Sequence, residues 1–181
     1  MRALIVCGSM DGGFTSEMCR SFSEGISTYG ITSDIIFPIE MRIEHCTGCD
    51  ECSKDGKCII TDDMEKIYKA FRESDLLVLS TPIHFSGPSS VIKAVIDRFQ
   101  PLWFGVDEHP TYVAALLSGG GRSPNFKNAQ SIFKAFSITA GINWLGQLEI
   151  PDTDSKEISD VKRTSFDYGK EIGKTVTDSR K

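Results

Sequence analysis

Short apolar runs that stop at glycine, serine or proline alternate along this chain with stretches of helical spacing. That alternation constrains the fold more than any other feature. Ala3-Leu4-Ile5-Val6 ends in Gly8, Leu76-Leu77-Val78-Leu79 ends at Thr81-Pro82, and Tyr112 to Leu117 ends at Ser118-Gly119-Gly120-Gly121. Two more strands are expected at Ser33 to Phe37 and near Asn143 to Ile150. Between them lie helical stripes: Met18, Phe22, Ile26 and Tyr29; Met64, Ile67, Tyr68 and Phe71; Val91, Ile92, Val95, Ile96 and Phe99; Ile132, Phe133 and Phe136; Ile158, Val161, Tyr168, Ile172 and Val176. Strand runs without polar alternation suit a parallel sheet covered on both faces. Five strands and five helices in βα order therefore predict an α/β fold, a doubly wound five-stranded parallel sheet with helices on both faces.

Finer expectations follow from single residues. Asp62 reads as an N-cap with Glu65 as its capping-box partner. Pro82 lacks an N–H and is expected to end the third strand. The polar tail from Thr175 is expected to fray. No repeat, low-complexity segment or linker divides the 181 residues, so a single domain over 1–181 is expected, with an aperiodic Cys-rich loop inserted at about 44–60. A net charge of −5 argues against non-specific binding to nucleic acid or anionic membrane. No apolar run could cross a bilayer. The run from Ala3 to Cys7 is too short for a signal-peptide core, and the chain is read as cytoplasmic.

In a doubly wound sheet, ligands bind beyond the carboxyl ends of the strands at the topological switch point. The loops after strands one, three and four are therefore the candidates. Gly8-Ser9-Met10-Asp11-Gly12-Gly13-Phe14-Thr15-Ser16 is rich in glycine and hydroxyls and opens a helix, which suits a phosphate held by backbone N–H groups and neutral donors. It lacks the Walker pattern and the dinucleotide spacing, so a monophosphate is expected; a plain glycine turn with a hydroxyl cap is the alternative. Thr81-Pro82-Ile83-His84-Phe85 offers a flat segment against which a planar heterocycle could pack, or a turn covering the core. Ser118-Gly119-Gly120-Gly121 allows close backbone approach, or is a flexible loop. The joint occurrence of all three is the argument for a site.

With these residues in view, the chain resembles the NAD(P)H-dependent FMN reductase group of flavodoxin-like proteins, and within it the iron–sulfur flavoproteins. The resemblance runs from Met1 to about Gly121. It is carried by the loop Gly8 to Ser16, the Cys-rich loop Cys46 to Cys58 with the following Asp62-Asp63-Met64, and Thr81 to Phe85 with Lys93 to Arg98. It implies a flavodoxin-like fold and a flavin-dependent oxidoreductase. Ser9, Thr15 and Ser16, with Met10 and Gly13 in the same loop, would bind the FMN phosphate. Pro82, Ile83, His84 and Phe85 would flank the ring, and Ser118, Gly119, Gly120 and Gly121 would close over it. No side chain is expected to act as a catalytic acid or base. The resemblance further implies a homodimer, or a pair of dimers, with FMN near the dimer interface. NAD(P)H is a candidate electron donor, and ferredoxin or a small molecule a candidate acceptor. Met10-Asp11 stands where the family pattern has Pro-Arg, and an aspartate near a phosphate is unfavourable unless it points to solvent. His84 stands where the pattern has Tyr, and an imidazole differs from a phenol in packing and charge beside the ring.

Six cysteines occur, four of them as Cys46-x2-Cys49-x2-Cys52-x5-Cys58. Such a compact run can hold a [4Fe–4S] cube, with Gly56 letting the loop fold back on Cys58. Iron–sulfur flavoproteins carry a motif of this form. Structural zinc, disulfides, and free thiols in a metal-free reductase of flavin, quinone or azo compounds are the other readings. A non-catalytic zinc-stabilised or flavin-sensing module belongs to the same set. Cys7 and Cys19 are expected to pack in the core, and His45 is expected to be a loop residue.

Overall fold

The apolar runs form strands whose alternate residues feed two separate cores. The computed structural model describes residues 1–105 and 108–179. In chain order the strands are β1 Arg2–Cys7, β2 Thr32–Ile36, β3 Leu76–His84, β4 Gly87–Pro88, β5 Tyr112–Ser118 and β6 Asn143–Ile150. The helices are α1 Phe14–Ser27, α2 Cys52–Asp55, α3 Met64–Arg72, α4 Ser90–Arg98, α5 Lys127–Thr139 and α6 Ile158–Asp178. Five strands run parallel in the order β2-β1-β3-β5-β6. This is the expected doubly wound sheet, with the switch point between β1 and β3. Two-residue β4, a Gly-Pro pair with no strand signal in the sequence, pairs antiparallel with the end of β3.

Because strand side chains alternate faces, Ala3, Ile5, Leu76, Val78, Ala114 and Leu116 pack with α1 and α6. Their neighbours Leu4, Val6, Leu77, Leu79, Val113, Ala115 and Leu117 pack with α3, α4 and α5. Around Phe99 on this second face, the rings of Phe71, Tyr68 and Phe136 lie with centroids 4.8, 5.3 and 5.4 Å away.

Three local expectations are corrected. β3 does not stop at Pro82 but runs on to His84. Pairing with β1 ends at Cys7↔Ser80, and the Ser80 carbonyl faces that side, accepting from Gly8 N–H at 2.7 Å. Pro82, two residues on, presents its missing N–H to the same side, where β1 has already ended and no ladder bond is lost. At α3 the Asp62 carboxylate does accept from Met64 N–H (3.0 Å), but Asp63 immediately precedes the helix and no return bond from Glu65 occurs among the described residues. The last helix does not fray from Thr175: Val176 is fully buried and holds its final turn.

Helices α1 and α6 touch through glycines. A Cβ on Gly25 would lie 2.3 Å from the Phe166 carbonyl oxygen, and one on Gly169 would lie 2.4 Å from that of Phe22. Neither backbone oxygen can rotate away. Gly25→Ala is expected to lower unfolding free energy by about 1–3 kcal/mol through forced separation of the helices. The check is a lower urea midpoint at unchanged slope.

Candidate functional site

The three expected loops meet at the carboxyl edge of β1, β3 and β5, and hydroxyls tie them together. Ser89 is the central knot. Its Oγ donates to the Gly8 carbonyl (2.7 Å) and accepts from Ile92 N–H (3.4 Å), capping α4, while its N–H donates to Thr81 Oγ1 (2.9 Å). A Cβ on Gly8 would stand 2.9 Å from Ile92 Cβ, Ser80 O and Ser89 Oγ, so only glycine fits under this knot. On the other side, Thr15 Oγ1 and Ser118 Oγ share a buried 2.7 Å hydrogen bond that joins the first turn of α1 to the end of β5.

Helix α1 begins at this junction with no side-chain cap. Gly13 occupies the cap position, and Gly12 before it has φ +85°. A Cβ on either would meet nothing within 4 Å. The Ser16 hydroxyl is buried and donates to the Gly13 carbonyl (2.8 Å), and Glu17 N–H closes the first turn onto the same oxygen. The N–H groups ahead of Glu17 have no acceptor within the helix. With the positive end of the helix dipole, they make an open anion cradle. Asp11 does not intrude: its carboxylate pairs with Arg20 at 2.5 Å and accepts from Gly12 N–H (2.8 Å). Those bonds hold the half-exposed Asp11 carboxyl below its usual range, with the Arg20 hydrogen bond the largest cause. Ser9 lies beside it, its Oγ donating to Met10 O (3.1 Å), and the Met10 side chain is exposed.

Beyond Pro82 and half-buried Ile83, the chain turns back between His84 and Gly87. The two turn residues, Phe85 and Ser86, have φ +48° and +63°. Such a turn matches strand twist, but it usually requires glycine or asparagine, and a phenylalanine there is strained. The Phe85 ring stands fully in solvent, and His84 is exposed.

The glycine loop after β5 is laced to the loop after β6, a contact that no local sequence signal marks. Asp152, Thr153 and Asp154 N–H donate to the carbonyls of Gly121 (2.8 Å), Gly119 (3.0 Å) and Gly120 (3.3 Å). A Cβ on Gly119 would strike Pro124 at 2.5 Å, and one on Gly120 the Asp154 carboxylate at 2.7 Å. Gly121 faces open space.

The cysteine loop leaves β2 and returns to α3. Its neck is closed by one buried ion pair, Arg98–Asp62 at 2.6 Å, with both side chains fully inaccessible. Arg98 also donates to the carbonyls of Glu44 (2.9 Å) and Ile60 (3.1 Å), at the two ends of the loop. Asp62 in turn accepts from Glu44 N–H (2.8 Å). Burial acts to raise the Asp62 carboxyl, but Arg98 and the N–H groups of Glu44 and Met64 hold it below the usual carboxylate range. The Tyr68 hydroxyl, which burial pushes well up, donates to the Arg98 carbonyl. Sequence reasoning missed this clasp. The signal was Arg98 itself, which follows Ile92 and Val95 at three-residue spacing on the buried face of α4.

Cys46, Cys49, Cys52 and Cys58 all line one cavity of about 540 Å³, which Arg98 also lines. All are free thiols, so the disulfide reading is not the one adopted. They stand around the cavity without converging: among the described residues no three metal ligands are grouped to hold a single ion. Gly56, with φ +70°, ends α2 and turns the chain toward Cys58. Cys7 and Cys19 are fully buried in the core under the first loop, as expected. Hydrogen bonds from Cys19 and then Ser9 hold the Cys7 thiol at about 7 against its burial, while burial pushes Cys19 up.

Comparison with known proteins follows the same lines. Residues 1–151 match the family described as NADPH-dependent FMN reductase, further along the chain than the motifs alone reach. An iron-sulfur flavoprotein of Methanocaldococcus jannaschii is 31% identical over 124 residues, covering 68% of this chain and 64% of that protein. A solved flavone reductase superposes with a TM-score of 0.75 at 19% identity, over 99% of this chain and 64% of its own. The NAD(P)H:quinone oxidoreductase of Methanothermobacter marburgensis gives 0.74 at 16% identity, over 96% and 97%. The matched region thus spans just under two-thirds of the curated relative, and the solved structures speak for the fold. No described helix is long and apolar enough to cross a membrane. By the match over residues 1–151, the chain belongs to the NADPH-dependent FMN reductase family.

Proposed function

We propose that this chain is an FMN-dependent electron-transfer oxidoreductase that also carries a [4Fe–4S] cluster on Cys46, Cys49, Cys52 and Cys58. The observation that carries the flavin half is the uncapped start of α1, open at Gly12 and Gly13 and tied to the other two loops by Ser89 and the Thr15–Ser118 bond. The phosphate would sit on the free N–H groups of that turn, between Ser9 and Ser16. Pro82 to Phe85 would flank the ring, and Ser118 to Gly121 would bound its far side. When bound, FMN supplies hydride or single-electron exchange, and an iron–sulfur cluster supplies single-electron exchange. The protein orients both, and no side chain is assigned as acid or base.

Four reduced thiols around one cavity, beside a buried guanidinium, are a donor set that fits a thiolate-held cluster. The similarity to iron-sulfur flavoproteins supports the same reading. By the family's name, NADPH or NADH is the proposed donor, with ferredoxin or a small molecule as acceptor. The proposed setting is a cytoplasmic homodimer or tetramer, each chain a single domain over 1–181 with the cysteine loop inserted at about 44–60. A metal-free reductase of flavin, quinone or azo compounds is the second reading. It is favoured by the absence of any converged group of three ligands among the described residues.

Anaerobic purification and reconstitution with FMN, iron and sulfide separates the two. The expected result is one flavin with about four iron atoms per chain and a broad visible absorbance that bleaches on reduction. Flavin without iron would leave the second reading standing, and absence of both would sink the proposal.

A further inference from the structure

Arg98 holds the neck of the cysteine loop with its two terminal nitrogens, which between them reach Glu44 O, Ile60 O and both Asp62 oxygens. Its third nitrogen has no such task. Nε is buried and has no hydrogen-bond partner, and the residue as a whole is 1% exposed. A buried donor left without an acceptor carries its full desolvation penalty, and native proteins leave few. Here the donor belongs to the only cation lining the cavity among the described residues. The other charged side chains that line it are Asp50 and Asp97, and Asp97 is held by Lys93 at 2.7 Å. One wall residue of the cavity thus carries an unspent, buried N–H on a fixed positive charge, and the same cavity is lined by four thiols. Thiolate and sulfide sulfurs are anionic acceptors, and hydrogen bonds to them are among the features that set a cluster's potential.

We propose that Arg98 supplies its Nε–H to the anionic sulfur set that Cys46, Cys49, Cys52 and Cys58 hold, so that it is the potential-setting residue of that site as well as the clasp of its loop. The inference rests on the iron–sulfur reading above. A hydrogen bond to the sulfurs stabilises the more negative, reduced state, so its loss makes reduction harder. Arg98→Lys keeps a cation beside Asp62 but removes the Nε–H.

The test compares the full chain and its Arg98→Lys form, both reconstituted anaerobically with iron and sulfide and titrated by electron paramagnetic resonance. Equal iron content is expected. At the potential where the parent is half reduced, the ratio of reduced to oxidised variant should fall about tenfold, a shift of about 59 mV for one electron. An iron-loaded variant with the parent's midpoint would overturn the assignment and leave Arg98 as a clasp alone. If Arg98→Lys does not fold, the parent decides. The exchange rate of the Arg98 Nε–H, followed by nitrogen-15 nuclear magnetic resonance, should fall at least tenfold on loading with Cd²⁺; an unchanged rate overturns the proposal. A parent that binds Cd²⁺ but no iron removes the iron–sulfur reading, while the exchange rate still decides for Arg98. Binding of neither overturns both.

Discussion

Arg98→Ala is expected to destabilise the protein by about 3–5 kcal/mol, the cost of leaving one partner of a buried ion pair alone. For a domain of this size, that corresponds to a melting temperature lower by roughly 6–20 °C. The charge left behind is Asp62, whose side chain is fully inaccessible. The carbonyls of Glu44 and Ile60 lose their donor in the same step. Replacing both partners, as Arg98→Met with Asp62→Leu, should cost far less than the sum of the single changes, because no buried charge remains. Thermal unfolding of the four proteins of this cycle measures the difference; equal and additive losses would show that the pair is not coupled. The clasp should also be acid-sensitive. The lowered Asp62 pKa makes its contribution complete above the ordinary aspartate value of about 4, and progressively lost as pH falls through the lower folded value.

Gly13→Asp is expected to separate stability from cofactor binding. Gly13 has φ −100° and ψ 175°, extended backbone open to any residue, and a side chain there meets nothing. An aspartate would cap α1 and complement its dipole, raising apo-protein stability by up to about 1 kcal/mol. The same carboxylate would occupy the proposed phosphate cradle. Charge repulsion at close range near a protein surface is on the order of 4 kcal/mol per pair at 4 Å. The dissociation constant for FMN should therefore rise by about 100–1,000-fold, corresponding to about 3–4 kcal/mol. Flavin fluorescence titration against Gly13→Asn, which caps without charge, isolates the electrostatic part. A variant that binds FMN as tightly as the parent would remove the phosphate from the α1 terminus.

What could be read from the sequence was whatever a strand or helix decides locally. The strand from Asn143 to Ile150 was legible in full, and β2 fell one residue from its expected place, because apolar runs and turn residues are local signals. The length of β3 was not, since the tolerance of Pro82 depends on where β1, far away in sequence, stops. The turn at Phe85-Ser86 gave no warning, because neither residue is one that left-handed backbone prefers. The edge loops were recognised as loops, yet what fastens them was hidden. Ser89 and the Thr15–Ser118 bond join residues up to 103 positions apart. The four cysteines announced themselves by spacing. The arginine that closes their loop carried only the faint mark of a charge at an apolar helical position.

The contact of Gly25 with Gly169 bears on where the site's precision comes from. The family match ends at residue 151, before α6 begins at Ile158. Every loop residue proposed for the flavin lies within the matched part. Yet the helix whose first turn forms the cradle is gripped along its length by α6, backbone against backbone, with Phe22 against Tyr168 above the crossing. A chain cut after Ile150 would keep all of its candidate ligands and expose Met18, Phe22 and Ile26. The C-terminal helix is thus the mount of the proposed site, whose candidate residues all lie elsewhere: without it they are expected to remain but to lose the support that aligns them.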